Sequence, residues 1–374
     1  MSHLAEEYAK SCGVKIGKPT LKPHYFPILH DRYITIHNDK KVQAKHYDLW
    51  PDVVQILKPY LKDIKIIQVG SFEEETIEGI DQHSPTKTLK QSAYIIERAL
   101  AHVGIDSVPV HIASALDIPV VGIYSHTYAN TCNPLWNNKS KVITIESDRG
   151  GKKPSFSLEE HPKTINFIKP EKIAQAVLDV LNIKQTISHK TLYTGHNYTS
   201  SFVEVIPTKK TSVQAKLIDV RMDYEHNEEV LADIIQRNKV EVTLSKPIPL
   251  SFIKSGRITK IVYKTDIFDG EFCRSIKQSS IPHTLICTSE EKLKEQRANN
   301  FDFLINYLNK KDLIKHNKKR IKINNFNNVK IKSGKKVVCG DKVYDSYFDL
   351  NERENSDHFF LDLEFFRVYT DSDE

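Results

Sequence analysis

One stretch, residues 99–127, constrains the fold of this chain more than any other. Its sequence is ALAHVGIDSVPVHIASALDIPVVGIYSHT. An apolar run ends at Val103-Gly104 and is followed by a polar turn, a short helix predicted over 112–116 and a second apolar run over 120–124. This order predicts a strand–turn–helix–strand unit. Its polar turn lies at the carboxyl end of the first strand, where open α/β sheets bind their ligands.

The turn itself carries residue types that suit an anion site. Asp106 and Ser107 are common helix N-caps, and the amides of a helix's first turn attract anions such as a diphosphate. The alternative is purely structural: Asp106 and Ser107 only cap the helix, and His111 only packs. The turn alone does not decide between these two interpretations.

Strands and helices alternate on both sides of this stretch. Strands are predicted at 33–37, 64–69 and 142–145, and helices at 50–61, 88–100 and 170–181. This alternation indicates a mostly parallel sheet covered on both faces. We therefore predict an α/β fold with a Rossmann-like domain over residues 1–185, in which 1–32 form a leading helix and a connector. Residues 186–201 are rich in Lys, Thr, Ser and His and are predicted to be a linker.

The alternation resumes after the linker and predicts a second, less regular α/β domain over 202–374. Its last part changes composition sharply. Residues 310–336 hold eleven Lys and Arg against one acidic residue, whereas 341–374 hold eleven Asp and Glu against three Lys and Arg. The basic segment suits nucleic acid or a phosphate-bearing acceptor. Because the two runs nearly cancel, mutual pairing or solvated surface is the favoured explanation. Aromatic residues over 358–366 predict that the acidic tail is folded.

Composition excludes several classes of protein. The chain has no run of about 18 apolar residues, so no membrane span is predicted, and its first residues lack the apolar core of a secretory signal. The five cysteines are scattered without a CxxC pair. Such usage favours free thiols in a reducing compartment over a disulfide framework or a zinc site. We expect a cytoplasmic chain without a metal.

Four motifs occur in a suggestive order. A strand and polar loop lead to Lys45 and Trp50-Pro51, and the next strand ends in Gly70-Ser71. Asp106-Ser107 is then followed by His111-Ile112-Ala113, and His126-Thr127 by CNPLW. In this order the motifs resemble the C-terminal, donor-binding half of a GT-B glycosyltransferase of the ADP-heptose:lipopolysaccharide heptosyltransferase type (glycosyltransferase family 9). The third motif is close to that family's D-[ST]-G-x-x-H turn.

The resemblance implies roles for the phosphate-binding side of the site. Lys45 would stabilise the leaving nucleoside diphosphate as negative charge develops on it. Ser107 and the backbone amides that follow, including that of Val108, would bind the same phosphates. Asp106 would hold the turn, and His111 would bind phosphate or lock the loop.

The resemblance also implies a nucleoside side. Ser71, beyond Gly70, would lie near the ribose, as would one of Glu73 and Glu74. One departure from the family is Val108, which stands where the family has a glycine that lets the backbone approach a phosphate closely.

The larger departure concerns the acceptor half, for which no counterpart precedes residue 1. The general base that must reach the acceptor hydroxyl therefore cannot be carried over from the family. It would come from the second domain, from a partner chain or second copy, or be absent. Asp219, Asp223 and Asp266, near predicted strand ends, are the candidates in the second domain.

These observations predict a glycosyltransferase that needs no cofactor and transfers a hexosyl or heptosyl group from a nucleotide sugar. The transfer would be inverting and independent of metal. Its acceptor would be a saccharide, or a polyanion bound at 310–336. Two alternatives stay open: a non-catalytic nucleotide-binding or scaffold protein, and a nucleic-acid-associated protein that uses the basic segment.

Overall fold

A division between Thr191 and Leu192 separates two α/β units in the computed structural model, which describes residues 2–39, 41–323, 325–353 and 355–371. The first unit extends to Thr191 and includes Thr370 and Asp371, and the second unit is Leu192–Tyr369. The division falls inside 186–201, the predicted linker, where Lys190–Thr194 form a strand. Parts of the predicted leading helix, basic segment and acidic tail, namely residues 1, 324, 354 and 372–374, lie outside the described residues.

The first unit contains one six-stranded parallel sheet. Its strands are β1 (Tyr33–His37), β2 (Lys65–Gly70), β3 (Gln82–Pro85), β4 (His102–Ile105), β5 (Val120–Tyr124) and β6 (Val142–Glu146). Its helices are α1 (Leu4–Ser11), α2 (Trp50–Leu61), α3 (Leu89–Glu97), α4 (Val108–Ala115), α5 (Ala129–Cys132) and α6 (Pro170–Val180). The strand order is β3-β2-β1-β4-β5-β6, with every neighbouring pair parallel. This is the Rossmann order, and it confirms the predicted fold class.

Helices cover this sheet on both faces. On one face α3 and α4 pack together, and their apolar side chains form one cluster with Tyr33, Ile67 and Val120 of the strands. On the other face α2 and α6 pack against each other through buried aliphatic side chains. Proline at the first turn suits the start of both of these helices, because its missing N–H has no intrahelical acceptor there. Covered faces leave the carboxyl ends of the strands as the place for a ligand.

The direction of winding reverses between β1 and β4. The chain proceeds from β1 outward to β2 and from β4 outward to β5, while β1 and β4 themselves are paired. Such a reversal opens a crevice beyond the carboxyl ends of the two strands. Gly104 allows the close approach here, since a Cβ on it would lie 3.1 Å from His102 Nε2 and 3.2 Å from the His37 carbonyl oxygen.

The second unit contains two sheets. Its strands are β7 (Lys190–Thr194), β8 (Phe202–Ile206), β9 (Leu217–Arg221), β10 (Val240–Leu244), β11 (Ile258–Thr265), β12 (His283–Cys287), β13 (Ile305–Tyr307), β14 (Lys330–Ser333), β15 (Lys335–Cys339), β16 (Lys342–Tyr344) and β17 (Phe366–Thr370). Its helices are α7 (Glu228–Arg237), α8 (Leu250–Lys254), α9 (Gly270–Gln278), α10 (Glu290–Asn299), α11 (Lys310–Arg320), α12 (Tyr347–Leu350) and α13 (Ser356–Leu361). The sheet orders are β13-β12-β11-β10-β9-β8-β15-β16 and β14-β17-β7.

Strands β8 to β13 wind in one direction only, each beside the one before it in sequence. Apolar side chains of α7, α8 and α9 join one core cluster with these strands, and Leu293 of α10 packs on the same cluster. A parallel sheet wound in one direction with right-handed crossovers carries its helices on one face. The second α/β domain predicted from the sequence is therefore confirmed, and its winding differs from that of the first.

The acidic tail is folded, as its aromatic residues predicted. Phe348, Phe359 and Phe366 are buried in one cluster with apolar residues of α11 and β14. Basic and acidic segments also pair: Lys318 lies 3.0 Å from Asp357, and Lys335 lies 2.7 Å from Asp362. The favoured explanation for the two charge runs, mutual pairing, is the one that the structure shows for these residues.

Candidate functional site

A cleft of about 240 Å³ opens at the carboxyl ends of β1, β2 and β3, beside the N-terminus of α4. Its polar lining includes His37, Ser71, Glu74 and Ser107. Glycine at position 70 leaves room for the Glu74 carboxylate, because a Cβ there would overlap its oxygen atoms. The sequence therefore lets the loop after β2 fold back over the strand and place a carboxylate in the crevice.

Of Glu73 and Glu74, it is Glu74 that lines the cleft. Glu73 is exposed, whereas the Glu74 side chain is 8% exposed. Glu74 Oε1 accepts a hydrogen bond of 2.9 Å from the Ser71 amide and lies 3.6 Å from His37 Nε2. Burial alone would raise the pKa of Glu74, but these two partners outweigh it and hold the pKa below its usual value. Glu74 is thus an ionised acceptor that faces the cleft.

Ser107 stands at the N-cap of α4, but its side chain makes no cap hydrogen bond. The alternative in which the Ser107 side chain only caps the helix therefore has no capping hydrogen bond to support it. The Ser107 hydroxyl instead lies 3.1 Å from the Ile105 carbonyl oxygen and 2.9 Å from His37 Nδ1. The first-turn amides of a helix have no intrahelical acceptor, and the N-cap side chain supplies none here. Pro109 has no N–H, so Val108 and Ser107 offer the amides nearest to the cleft.

Lys45 reaches the same turn from a 3-10 turn over Gln43–Lys45. Its Nζ donates to the Asp106 carbonyl oxygen at 3.0 Å and to Asp106 Oδ2 at 3.1 Å. Thr127 Oγ1 lies 3.4 Å from the same carboxylate oxygen. Asp106 thereby holds the turn, and the ammonium group points inward with its side chain 24% exposed.

Two histidines stand on the other side of Asp106. His111 Nε2 lies 3.9 Å from Asp106 Oδ1. Burial lowers the pKa of His111, and although Asp106 opposes this shift, Lys45 adds to it. Burial and Lys45 likewise lower the pKa of His126. These imidazoles are therefore suited to hydrogen bonding as neutral groups near neutral pH.

Comparison with known families identifies this part of the chain. Residues 16–161 match the model of glycosyltransferase family 9 (heptosyltransferase). We refer to these matched residues as the family 9 segment. This family 9 segment contains all six strands of the first sheet and every donor-binding residue predicted from the motifs. The resemblance stated from the sequence is confirmed.

Solved structures of the family resemble the chain over part of its length. Heptosyltransferase II of Escherichia coli is 16% identical, with 49% of this chain and 52% of that chain covered and a TM-score of 0.32. A family 9 glycosyltransferase from Veillonella parvula is 18% identical, with 48% and 50% covered and a TM-score of 0.34. The iron-containing dodecameric glycosyltransferase TibC from enterotoxigenic E. coli is 14% identical, with 46% and 52% covered and a TM-score of 0.35. This chain spans about half the length of each. No curated protein matches the chain.

Val108 is where the family 9 segment departs from its family's turn. The side chain is 50% exposed and lies in the cleft wall at the first position of α4. It occupies space that a glycine would leave to a ligand beside the helix amides. The turn is nevertheless open at this point, because half of the valine surface faces solvent.

His37 lines the cleft but was not among the site residues predicted from the sequence. It is the last residue of β1, which pairs with β4, and its imidazole touches both Ser107 and Glu74. A polar residue at the carboxyl end of the strand next to the Asp106 turn was the available signal.

The three acidic candidates of the second domain lie outside the family 9 segment and are all engaged. Asp219 accepts a hydrogen bond of 2.8 Å from Thr243, and burial together with Glu204 raises its pKa to about 6. Asp223 receives two hydrogen bonds, of 2.7 and 2.8 Å, from the Arg221 guanidinium. Asp266 accepts from Thr288. Asp219 and Asp223 belong to one network around Arg221, and Asp266 is engaged elsewhere.

The described residues contain neither a metal-binding cluster nor a membrane-spanning helix. Within them no group of three or more His, Cys, Asp or Glu side chains has an arrangement suited to a metal ion. In the same ranges no helix is long and apolar enough to cross a bilayer.

Proposed function

We propose that this chain transfers a sugar from a nucleoside-diphosphate sugar to an acceptor, with the first unit as its donor-binding half. The observation that carries the proposal is the Lys45 ammonium group seated on the Asp106 turn, at the reversal of a Rossmann sheet. The match of residues 16–161 to the family 9 model supports the same reaction class. A nucleotide would lie in the cleft, with its diphosphate between α4 and Lys45.

Each group has a part in this chemistry. Lys45 and the amides of Ser107 and Val108 would offset the charge that builds on the leaving diphosphate, so an inverting transfer needs no metal in this proposal. The ionised Glu74 carboxylate would accept hydrogen bonds from the ribose hydroxyls. The transferred group is proposed to be a hexosyl or heptosyl unit, and the chain would work without a cofactor.

The acceptor half is proposed to come from outside the first unit, either from the second unit or from a partner chain or second copy. Asp223 is held by a guanidinium, Asp266 by Thr288 and Asp219 by Thr243. We retain Asp219 as the candidate for the general base because burial and Glu204 raise its pKa. Its pKa of about 6 lies in the range in which a carboxylate accepts a proton near neutral pH.

Titration calorimetry of the full chain with ADP, UDP, GDP and their sugars tests the donor site. We expect at least one to bind, and Lys45→Ala to weaken its binding about 10- to 100-fold, the worth of a charge-assisted hydrogen bond. Lys184→Ala, an exposed lysine of the same unit, is the matched control and should change nothing. Failure of every nucleotide to bind would reject the proposal.

A turnover assay separates transfer from mere binding. Sugar transfer or donor hydrolysis should fall about 100- to 1,000-fold in Lys45→Ala, the usual cost of losing one group that stabilises developing charge. Nucleotide binding without turnover, with a range of saccharide acceptors, would instead support the non-catalytic alternative that Val108 favours. The nucleic-acid alternative loses support because basic residues at 310–336 pair with the acidic tail.

A further inference from the structure

The His37 imidazole connects the two sides of the cleft. Its Nδ1 lies 2.9 Å from Ser107 Oγ, on the side proposed for the phosphates. Its Nε2 lies 3.6 Å from Glu74 Oε1, on the side proposed for the ribose. The side chain is 5% exposed and the Glu74 side chain 8%, so bulk water screens this chain of contacts only weakly.

Proton positions along this chain follow from the chemistry of its members. Because Glu74 is ionised it can only accept, so His37 Nε2 carries a proton toward it. A neutral imidazole then has a bare Nδ1, which accepts the hydroxyl proton of Ser107. In that state Ser107 has only lone pairs to offer a ligand, and lone pairs repel phosphate oxygens.

A second proton on the imidazole reverses the direction of the hydrogen bond between His37 and Ser107. Nδ1–H then donates to Ser107 Oγ, and the hydroxyl proton is released to another acceptor. The Ile105 carbonyl oxygen, 3.1 Å away, is one acceptor, and a phosphate oxygen in the cleft would be another. Imidazole is the side chain whose charge ordinarily changes between about pH 5 and 8.

We propose that His37 is a positioning residue that takes up a proton when the donor diphosphate binds, which converts Ser107 from an acceptor into a donor toward phosphate. The inference rests on the proposed function and adds a proton to its binding step. The imidazolium would also add a positive charge to that of Lys45 on the side proposed for the diphosphate.

The groups around His37 favour this uptake. Glu74, from the loop after β2, carries the negative charge nearest to the imidazole among the described contacts, and it stabilises the imidazolium. His102 of β4 is fully buried, and burial lowers its pKa to about 3, so it adds no charge. Asp39 and Lys87 also line the cleft and carry opposite charges. His83 of β3 faces Glu74 from the other side, and burial lowers its pKa.

Proton uptake sets the direction of the pH dependence. If the complex holds one more proton than the free protein, affinity falls as pH rises. By linkage the fall approaches about tenfold per pH unit. A site whose charges do not change would show no such slope.

Calorimetric titration in buffers with different ionisation enthalpies measures the uptake directly. The full chain would be titrated at pH 7.5 with ADP-glucose, UDP-glucose and GDP-mannose, whose diphosphates have no terminal group that titrates near neutral pH. For the sugar nucleotide that binds, we expect close to one proton taken up by the wild type. His37→Asn keeps an N–H near the Nδ1 position, so it should bind with no uptake and with an affinity independent of pH.

His83→Asn is the control, because it removes a neighbouring histidine that does not line the cleft, and it should keep the full uptake. His37→Gln should lose the uptake too and serves if His37→Asn fails to fold. Binding without uptake in the wild type, or unchanged uptake in a folded His37 variant, would overturn the inference while leaving the donor site intact. If none of the nucleotide sugars binds, the proposed function itself fails.

Discussion

The two parallel sheets of this chain end differently at their carboxyl edges. The first sheet leaves a cleft there, lined by His37, Glu74 and Ser107. At the same edge of the second sheet, Arg221 at the end of β9 is bonded to Glu204 and Asp223, and Lys264 of β11 lies 3.5 Å from Asp223. One edge keeps polar groups available to a ligand, and the other satisfies them internally.

The winding of the strands explains this difference. The first sheet reverses direction between β1 and β4, so its connections diverge and leave a crevice. Strands β8 to β13 never reverse, and where β15 lies on the other side of β8, Tyr347 packs on Ile206 and Val337. The comparison teaches that shared α/β layering does not suffice for a site. The change of direction provides it.

The sharpest test of the comparison is Arg221→Met. Removing the guanidinium leaves the buried carboxylates of Glu204 and Asp223 incompletely paired, which should destabilise the second unit by about 3–5 kcal/mol. Trp50 and Trp136 are the two tryptophans of the chain, and both lie in the first unit. The denaturant midpoint measured by circular dichroism should therefore fall for the second unit, while the midpoint measured by tryptophan fluorescence should not change.

Lys260→Met is the matched control, because the Lys260–Glu241 pair lies on the same sheet but is more exposed, and it should cost at most about 1 kcal/mol. Loss of nucleotide binding in Arg221→Met would contradict the assignment of the Arg221 pairs with Glu204 and Asp223 to stability alone.

Gly70→Ala tests the open edge. The added Cβ would displace the Glu74 carboxylate, which should destabilise the first unit by about 1–3 kcal/mol. Nucleotide affinity should fall as well, because Glu74 leaves the cleft. Gly17→Ala is the control, since a Cβ on Gly17 meets nothing within 4 Å. Tryptophan fluorescence reports the stability, and equal stability and affinity for both variants would mean that Glu74 has no fixed place in the cleft.

The two edges should also respond to pH with opposite signs. The folded state raises the pKa of Asp219 to about 6, so its ionisation costs stability as pH rises from about 4 to 6. Asp219→Asn should therefore be more stable than the wild type at pH 7, by about 3 kcal/mol, and equal to it below about pH 4.

Glu74→Gln should show the reverse. The folded state lowers the pKa of Glu74, so the carboxylate stabilises at neutral pH and this contribution disappears as pH falls through its folded value. Unfolding of the wild type and of each variant between pH 3.5 and 7.5 measures the two differences in unfolding free energy from the wild type. If these differences in stability had the same sign, the two edges would not be distinguished. Unchanged sugar transfer in Asp219→Asn would exclude Asp219 as the base.

Periodicity and turn residues predicted much of the fold. Pro51 and the apolar spacing placed α2 correctly at 50–61, and the apolar run of β5 is bounded as expected. β3 was missed because its sequence, QHSP, lacks the β-branched and aromatic residues typical of strands. β7 was missed because it lies in a polar segment that resembled a linker.

The site was predictable where one segment carried the signal. The Asp106 turn and Lys45 followed from motifs, and the structure brings them together although 61 residues separate them. The choice between Glu73 and Glu74 and the role of His37 depend on how three loops meet, which no single segment encodes. The contacts of the Ser107 side chain were not predicted, because its hydroxyl pairs with His37 and not with the helix amides.

The order of strands in the second unit has a kinetic consequence. Each strand from β9 to β13 pairs with its immediate predecessor, so every step closes only a short loop of chain. In the first unit β1 cannot form its pair with β4 until β4 has been made. The paired residues, Thr35 of β1 and His102 of β4, are 67 positions apart. During synthesis, strands β8 to β13 can therefore assemble progressively as they emerge, whereas the crevice of the first sheet forms only when its last contributing strand arrives.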